Sequence, residues 1–231
     1  MKSLKSKPKS SSSEKPKQTE TAVNSIDLKQ PPQDRASDYI KTGNIDGLLN
    51  LCKEADVVNK FHSKSGKCLL SIAAEEGSID AIKALISFKS EVDIIDKSGI
   101  PPIIHASKFG HDHIIKYLVS VGANLNVVEI VKEENALMMA CRFSQEKTAI
   151  YLITLGISLE HRNLNGEDAL HTAVKYQCFE ASQLLLEKGC NINSPSLNGN
   201  TILIRSAFDH REDTIQFLLK NSTIEIDTKN M

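Results

Sequence analysis

The sequence predicts an all-α solenoid of stacked helix–turn–helix units, because three markers recur at steps of 33 or 34 residues. The first marker opens each unit and falls at Gly66, Gly99, Glu133, Gly166 and Gly199. The second is a small residue in the first helix, at Ala73, Ala106, Ala140, Ala173 and Ser206. The third closes the second helix, at Lys89, Gly122, Gly156, Gly189 and Ser222.

The clearest unit is residues 99–126, which read GIPPIIHASKFGHDHIIKYLVSVGANLN. Pro102 suits the first turn of a helix, where a missing N–H costs nothing. Gly110 suits a tight turn with a positive backbone angle, and Gly122 suits a left-handed helix cap. The second helix carries apolar residues at helical spacing, at Ile114, Ile115, Leu118 and Val119. This stretch therefore predicts two short helices joined by a turn.

This unit resembles one ankyrin repeat, whose pattern is G-x-T-P-L-H-x-A-A-x-x-G-H, an apolar helix and then G-A-D-x-N. The resemblance covers roughly residues 35–227. It implies an ankyrin-repeat solenoid with short β-hairpin-like finger loops between the helix pairs. The six repeats are expected at 35–62, 63–95, 96–128, 129–162, 163–195 and 196–227.

Some positions depart from the pattern. Cys68 stands where the family has a threonine, so we expect one capping hydroxyl to be lost from the second repeat. Lys89 replaces the closing glycine of the same repeat, and both changes should weaken it. The fourth repeat opens with EIVKEEN, which is one residue longer than its counterparts and predicts a distorted finger loop. Asp168 and Thr201 are the expected helix caps of the last two repeats.

Residues 1–34 differ in composition from the rest and predict a disordered, Lys- and Ser-rich tail, and residues 228–231 predict a short second tail. Residues 1–17 contain six lysines and one glutamate with almost no apolar content. Two interpretations stay open for the longer tail. It is a solubilising segment, or it is a targeting segment for nuclear import or an anionic surface, tuned by serine phosphorylation.

Composition restricts the class of protein. Residues 1–34 carry a net charge of +3 and the remainder −4, so the folded part is not expected to bind nucleic acid. No apolar run approaches the roughly 18 residues that span a bilayer. The five cysteines form no C-x-x-C pair, which favours a reducing compartment. We therefore expect an intracellular, monomeric protein in the cytosol or the nucleus.

Motifs for catalysis are missing from the sequence. It contains no phosphate-binding loop, no H-E-x-x-H and no G-x-S-x-G. His111 and His113 stand two residues apart, and side chains at that spacing diverge on a helix. The resemblance implies that His171 is structural and braces backbone groups between neighbouring loops. We expect no catalytic residue, metal, cofactor or small-molecule substrate.

A recognition surface remains as the expected functional feature. In the ankyrin family, partners dock on the finger loops and the inner face of the first helices. Two positions before the turn hold a base and then an aromatic residue in three consecutive repeats, at Lys108-Phe109, Arg142-Phe143 and Lys175-Tyr176. This pattern predicts a basic stripe that suits an acidic peptide or protein surface. The aromatic residues could instead serve framework packing, so the three bases are the better candidates.

The finger tips provide a second set of candidate contact residues. The positions that vary freely in the family include Lys97, Ile100, Leu164, Asn165, Leu197 and Asn198. Ile100, Leu164 and Leu197 are apolar where a monomer would normally show polar groups, which indicates contact. The sequence therefore predicts a non-enzymatic scaffold or adaptor that binds a protein partner. The alternative is a regulatory or adaptor subunit whose basic tail supplies nuclear or anionic targeting.

Overall fold

The structure, a computed structural model, describes residues 29–220 and 223–227. That part of the chain contains twelve α-helices and no strand, which confirms the predicted all-α repeat solenoid. The helices are α1 (Pro32–Thr42), α2 (Ile45–Glu54), α3 (Leu69–Glu75), α4 (Ile79–Ser87), α5 (Pro102–Phe109), α6 (Asp112–Ser120), α7 (Ala136–Arg142), α8 (Glu146–Thr154), α9 (Ala169–Lys175), α10 (Phe179–Glu187), α11 (Ile202–Phe208) and α12 (Glu212–Leu219).

The odd-numbered helices are the first helices of the repeats, and each packs against the next along the array. The second helices pack behind them, with α2 on α4, α4 on α6, and α8 on α10. The small residue of each first helix lies at the centre of this packing, where Ala73, Ala106, Ala140 and Ala173 are fully buried. Ser206 is the fifth and is 5% exposed. Small side chains recur at this position because neighbouring helices approach closely there.

Helix α1 begins at Pro32, so residues 32–34 are helical and the predicted disordered tail extends too far at this end. The prolines that marked the tail instead start the helix, because a proline in the first turn has the required backbone angle. Asp34 then joins α1 to the next repeat, since its carboxylate accepts hydrogen bonds from the backbone N–H and the hydroxyl of Ser63. The remainder of that tail, residues 1–28, and residues 228–231 lie outside the described residues.

The predicted helix caps Asp168 and Thr201 are present, and Cys68 caps its helix as well. Asp168 accepts a hydrogen bond from the backbone N–H of His171 at 3.0 Å, and Thr201 caps α11 in the same way. Cys68 does not leave α3 uncapped, because its sulfur lies 3.2 Å from the backbone nitrogen of Ser71. The capping hydroxyl is lost as expected, but the helix keeps a cap because the thiol takes the place of the hydroxyl. Lys89 holds the left-handed closing position at a φ of 61°.

Finger loops precede the first helices and are joined by one backbone hydrogen bond to each neighbour. The donors are the N–H groups of Lys97, Ile130, Leu164 and Leu197, and the acceptors are the carbonyls of Gly66, Gly99, Lys132 and Asn165, at 2.9–3.1 Å. The loops also pack closely, because a Cβ atom on Gly99 would lie 2.8 Å from that of Ile130. These bonds fix the register in which the finger tips stand side by side.

The longer finger loop of the fourth repeat is organised by Glu129, which is 4% exposed. Its carboxylate accepts hydrogen bonds from the backbone N–H groups of Val131 and Lys132 at 2.7 Å and of Glu134 at 3.3 Å. A bridge between Val128 and Asn135 closes the base of the loop. The extra residue therefore widens the loop while its backbone groups remain bonded.

Two further findings concern the whole described region. Within residues 29–220 and 223–227, no helix combines the length and the apolar character that crossing a membrane requires. All five cysteines lie in this region and none forms a disulfide. Cys141 and Cys178 are both buried, and the Cys178 sulfur lies 3.5 Å from the Cys141 carbonyl oxygen. They act as small core residues between repeats four and five.

Candidate functional site

The predicted base and aromatic residues lie at or directly after the C-terminal ends of α5, α7 and α9. The side chains of Arg142 and Lys175 reach back to carboxylates at the ends of the finger loops. We call the surface formed by these loops and the first helices the finger groove. Phe109 and Phe143 are 39% and 42% exposed, while Tyr176 is half-buried. The sequence pattern thus places three bases on one side of the molecule, one in each of three adjacent repeats.

Two of the three bases are paired within their own repeats. Arg142 Nη1 lies 2.5 Å from the Glu134 carboxylate, and Lys175 Nζ lies 3.3 Å from the Glu167 carboxylate. Each acid precedes its base by eight residues, at the start of the same finger-to-helix segment. The second repeat has the reverse arrangement, with an ion pair between Lys67 and Glu75. The predicted stripe is therefore less positive than its three bases indicate.

The pKa values of these pairs show that the partners act on one another. Burial disfavours the charge of Arg142, but the charge and hydrogen bond of Glu134, together with Tyr176 and Glu129, outweigh burial and raise the pKa of the guanidinium. Burial also tends to raise the pKa of Glu167, yet the charge of Lys175 and a hydrogen bond from Asn163 lower it overall. The ion pairs of Arg142 with Glu134 and of Lys175 with Glu167 therefore stabilise the surface of the groove.

Lys108 differs from the other two bases. The position eight residues before it is Ile100, so the acid found in the next two repeats is missing. No ion pair forms at Lys108 within residues 29–220 and 223–227. Its Nζ instead lies 5.2 Å from the ring centre of Phe109 and 4.7 Å from that of Phe143. The lysine is held between two rings of adjacent repeats by cation–π attraction.

A cavity of about 320 Å³, which we call the Lys108 pocket, opens beside this lysine between the third and fourth finger loops. Its buried apolar lining comes from Ile104 on α5 and Met139 on α7. Val131 and Phe143 line it with exposed apolar surface. The remaining lining residues are Ser98, Ile100, Lys108, Glu129, Lys132 and Arg142. The pocket is therefore apolar inside, with three cationic side chains around it.

The next groove cavity, between the fifth and sixth finger loops, is polar. It measures about 210 Å³ and includes the predicted residues Lys175, Asn165 and Asn198. Glu167 and Arg205 add charges of both signs to its lining. Seven of the predicted contact residues thus line one of two cavities of different chemistry, with Ile100, Lys108, Arg142 and Phe143 in the first and Asn165, Lys175 and Asn198 in the second. Of these two cavities, the Lys108 pocket is the one that combines an apolar lining with three cationic side chains.

The finger tips present exposed apolar side chains, as predicted for Leu164 and Leu197, which are 54% and 67% exposed. Ile100 does not belong with them, because it is half-buried and packs against the core. Ile130 and Val131, at 62% and 67%, are the exposed apolar residues next to it. Neither residue could be identified from the sequence, because the inserted residue leaves open which position of EIVKEEN is the tip. The hydrogen bond from Ile130 to Gly99 identifies that position.

Three predicted tip residues are polar or charged, namely Lys97, Asn165 and Asn198. The Nζ atom of Lys97 lies 6.0 Å from the ring centre of Phe61 in the second repeat. Asn165 and Asn198 are exposed and belong to the polar cavity. Asn165 and Asn198 directly follow the apolar tips Leu164 and Leu197 in their loops, and Lys97 lies in the third finger loop.

The buried histidines are structural in their geometry. His105 Nε2 lies 2.9 Å from the Asp96 carboxylate, and His171 Nδ1 lies 2.8 Å from that of Asp168. His–Asp pairs occur in hydrolases, but these two rings are only 2% and 6% exposed and cannot reach a substrate. The implied role of His171 between neighbouring loops is wrong, because the imidazole bonds to the cap of its own helix.

His111 and His113 do not diverge as predicted, since their ring centres are 5.9 Å apart. His111 lies at the cap, outside α6, which brings the rings together. Their Nε2 atoms lie 2.9 and 3.1 Å from the carbonyls of Glu75 and Gly77 in the preceding repeat. Among the residues that the structure describes, no cluster of three His, Cys, Asp or Glu side chains could hold a metal ion.

A larger cavity, of about 550 Å³, lies among the loops that follow α8 and α10. The guanidinium of Arg162, which lines this cavity, donates hydrogen bonds to the carbonyls of Gly166 and Pro195 at 2.8 Å and to the Ser194 hydroxyl. Burial and the charge of Asp168 raise the pKa of its Cys190 thiol to about 11, so this thiol is not a reactive thiolate. The guanidinium of Arg162 therefore joins neighbouring loops.

Comparison with known proteins matches this fold. The family model described as ankyrin repeats (3 copies) matches residues 39–129, 70–163 and 137–230. The SH3 and multiple ankyrin repeat domains protein 2 of Homo sapiens is 26% identical over 144 residues. Synphilin-1 of Mus musculus is 26% identical over 173 residues. These matches cover 61% and 68% of this chain but only 8% and 18% of the relatives.

A solved structure supports the same architecture. One chain of the complex of the Bd0816 predatory endopeptidase from Bdellovibrio bacteriovorus with immunity protein Bd3460 superposes with a TM-score of 0.70. The match covers 81% of this chain and 97% of that one, at 23% sequence identity. This likeness concerns the fold alone.

Proposed function

Because the chain belongs to the ankyrin repeat family, we propose that it is a non-enzymatic scaffold or adaptor that binds a protein partner through the finger groove. Ankyrin repeats are generally protein-interaction modules. The proposal places the partner on the finger tips and on the base–aromatic positions of α5, α7 and α9.

The row of apolar finger tips is the observation that carries this proposal. Ile130, Val131, Leu164 and Leu197 are each more than half exposed, and they belong to three consecutive loops. Backbone hydrogen bonds join these loops, so the apolar side chains stand next to one another instead of being scattered. A contiguous apolar surface with a polar surround is typical of a protein-interaction site.

A matched pair of variants tests the proposal. Leu164→Ser with Leu197→Ser removes two tips, and Leu219→Ser with Ile226→Ser removes two similarly exposed side chains, at 51% and 69%, outside the groove. We would cross-link each variant and the unaltered chain to bound proteins in cells and identify the captured proteins by mass spectrometry. A partner that the tip variant loses and the control variant keeps is the expected result. Equal capture by both variants would refute the assignment of the groove.

A further inference from the structure

We propose that the Lys108 pocket accepts one bulky apolar side chain from an acidic, extended segment of the partner. This inference rests on the proposed function and adds the chemistry of the segment that the groove recognises. It concerns the space between the third and fourth finger loops, where the apolar and cationic groups of the groove meet.

The apolar half of the proposal follows from the lining of the pocket. Its volume of about 320 Å³ is near the lower limit of about 300 Å³ that is typical of ligand pockets. It suits one large side chain and not a folded surface. Ile104 and Met139 are buried at its base, while Val131 and Phe143 are exposed beside it. A leucine, isoleucine, methionine or phenylalanine placed there would cover apolar surface that now faces water.

The acidic half follows from the charges around the pocket. Lys108 and Lys132 have no carboxylate partner within the described residues, and Arg142 shares its charge with Glu134. The carboxylate among the lining residues belongs to Glu129, which is buried and accepts hydrogen bonds from three backbone N–H groups. The two lysines therefore attract negative charge, and they stand on both finger-loop and helix sides of the pocket.

The charged groups are also held in position before binding. The rings of Phe109 and Phe143 restrict the ammonium group of Lys108, and Glu129 fixes the backbone that carries Lys132. Groups that are ordered in advance lose less conformational entropy when a partner binds. The polar cavity of the fifth and sixth loops lacks this combination, because Glu167 already neutralises its lysine. The chain's own N-terminal segment is an unsuitable occupant, since residues 1–17 carry six lysines and one glutamate.

Peptide selection on the full chain tests the inference. We would select random twelve-residue peptides displayed on phage, synthesise the enriched peptides with a fluorescent label, and measure binding by fluorescence polarisation. Enriched peptides should carry two or more carboxylates around one bulky apolar residue. Replacing that residue by serine, or the carboxylates by amides, should weaken binding about tenfold or more.

Variants of the chain then locate the site. Lys108→Glu with Lys132→Glu should weaken binding about tenfold or more, since like charges would face each other. Lys147→Glu with Lys188→Glu makes the same change in net charge at exposed positions outside the groove, and it should leave binding within about twofold. Ser98→Trp should block the pocket. The chain contains no other tryptophan, so a blue-shifted emission from this residue verifies that the indole occupies the cavity.

The outcomes separate this inference from the proposed function. Failure to enrich any peptide, enrichment without the acidic and apolar pattern, or equal binding by the two charge variants would each overturn the pocket's assignment. A partner lost through Leu164→Ser with Leu197→Ser would still support the proposed function in all three cases. A concentration-dependent dimer of the chain that Ser98→Trp abolishes would also overturn the inference, because the occupant would then be a second copy.

Discussion

Lys108 and Phe143 belong to adjacent repeats, and the Nζ atom of the lysine lies 4.7 Å from the centre of the phenylalanine ring. The equivalent bases of the next two repeats are paired with Glu134 and Glu167 instead. One structural position therefore holds the same charge in three different environments. This difference decides which bases stabilise the fold and which remain available to a partner.

We predict that methionine at these three positions destabilises the chain to different extents. Arg142→Met should cost about 1–3 kcal/mol, because it leaves the carboxylate of Glu134, whose side chain is 6% exposed, without its partner. Lys175→Met should cost about 1 kcal/mol, since Glu167 is more exposed, and Lys108→Met should cost less than about 1 kcal/mol. The midpoints of urea unfolding measure this order, and equal effects at all three positions would contradict it.

A second substitution tests the cause of the largest effect. Adding Glu134→Gln to Arg142→Met removes the unpaired buried charge, so we expect the double variant to regain at least half of the lost free energy of unfolding. A double variant that is less stable than either single variant would show that side-chain packing, and not charge, explains the loss.

The fold could be predicted because each repeat carries the same short sequence signals at the same positions. The small residue at Ala73, Ala106, Ala140 and Ala173 reflects one physical constraint, the close approach of neighbouring helices, and it therefore recurs at a fixed period. Proline in a first turn and left-handed closing residues are equally local. The start of α1 was misplaced because Pro31 and Pro32 are equally typical of a flexible linker and of a helix start.

The partners within the site were harder to predict. The pair of Arg142 and Glu134 spans eight residues, from a finger loop to the end of a helix, whereas pairs within one helix are three or four residues apart. The inserted residue of the fourth loop makes the role of Ile130 ambiguous in the sequence. The backbone hydrogen bond from Ile130 to Gly99 shows that Ile130 is at the tip. The Lys108 pocket combines residues from two repeats, so no single sequence window contains it.

The closing position of the second repeat predicts a stabilising substitution. Lys89 has a φ of 61°, whereas the next three repeats have glycine there, with φ values of 83–99°. Lys89→Gly should stabilise the chain by about 0.5–1 kcal/mol, because glycine adopts this conformation without steric cost. Lys188→Gly is the control, because Lys188 has a φ of −80°, which a lysine adopts without strain. This variant should be as stable as the unaltered chain or less stable. Thermal melting of both variants measures the difference.

Glu129 is predicted to hold the longer finger loop closed. Glu129→Gln replaces one carboxylate oxygen by an amide group that cannot accept the hydrogen bond from Val131 or Lys132. We expect amide hydrogen exchange of at least one of these two residues to become at least about tenfold faster, while exchange within α9 is unchanged. Unchanged exchange in the loop would mean that the backbone bridge between Val128 and Asn135 is sufficient to hold it.

Stability at low pH is predicted to depend on Asp96. Burial tends to raise the pKa of this carboxyl, but hydrogen bonds from His105 and from the backbone N–H groups of Ile100 and Ser98 lower it below the ordinary value of 3.8. A lowered pKa in the folded state means that the carboxylate stabilises the fold above that ordinary value. This contribution disappears as the pH falls through the folded-state pKa, which lies below 3.8.

Asp96→Asn should therefore be less stable than the unaltered chain at pH 7, by about 1–3 kcal/mol, because the charged acceptor is lost. The difference should shrink as the pH falls below about 4, because the carboxyl of Asp96 then binds its proton more readily in the unfolded chain than in the folded one. Urea unfolding between pH 7 and pH 3 measures both quantities. The control is Asp46→Asn, at an exposed position in the first turn of α2, which should show a small difference throughout. A constant difference for Asp96→Asn across this range would mean that the asparagine disturbs the finger loop sterically and that the charge of Asp96 contributes no stability.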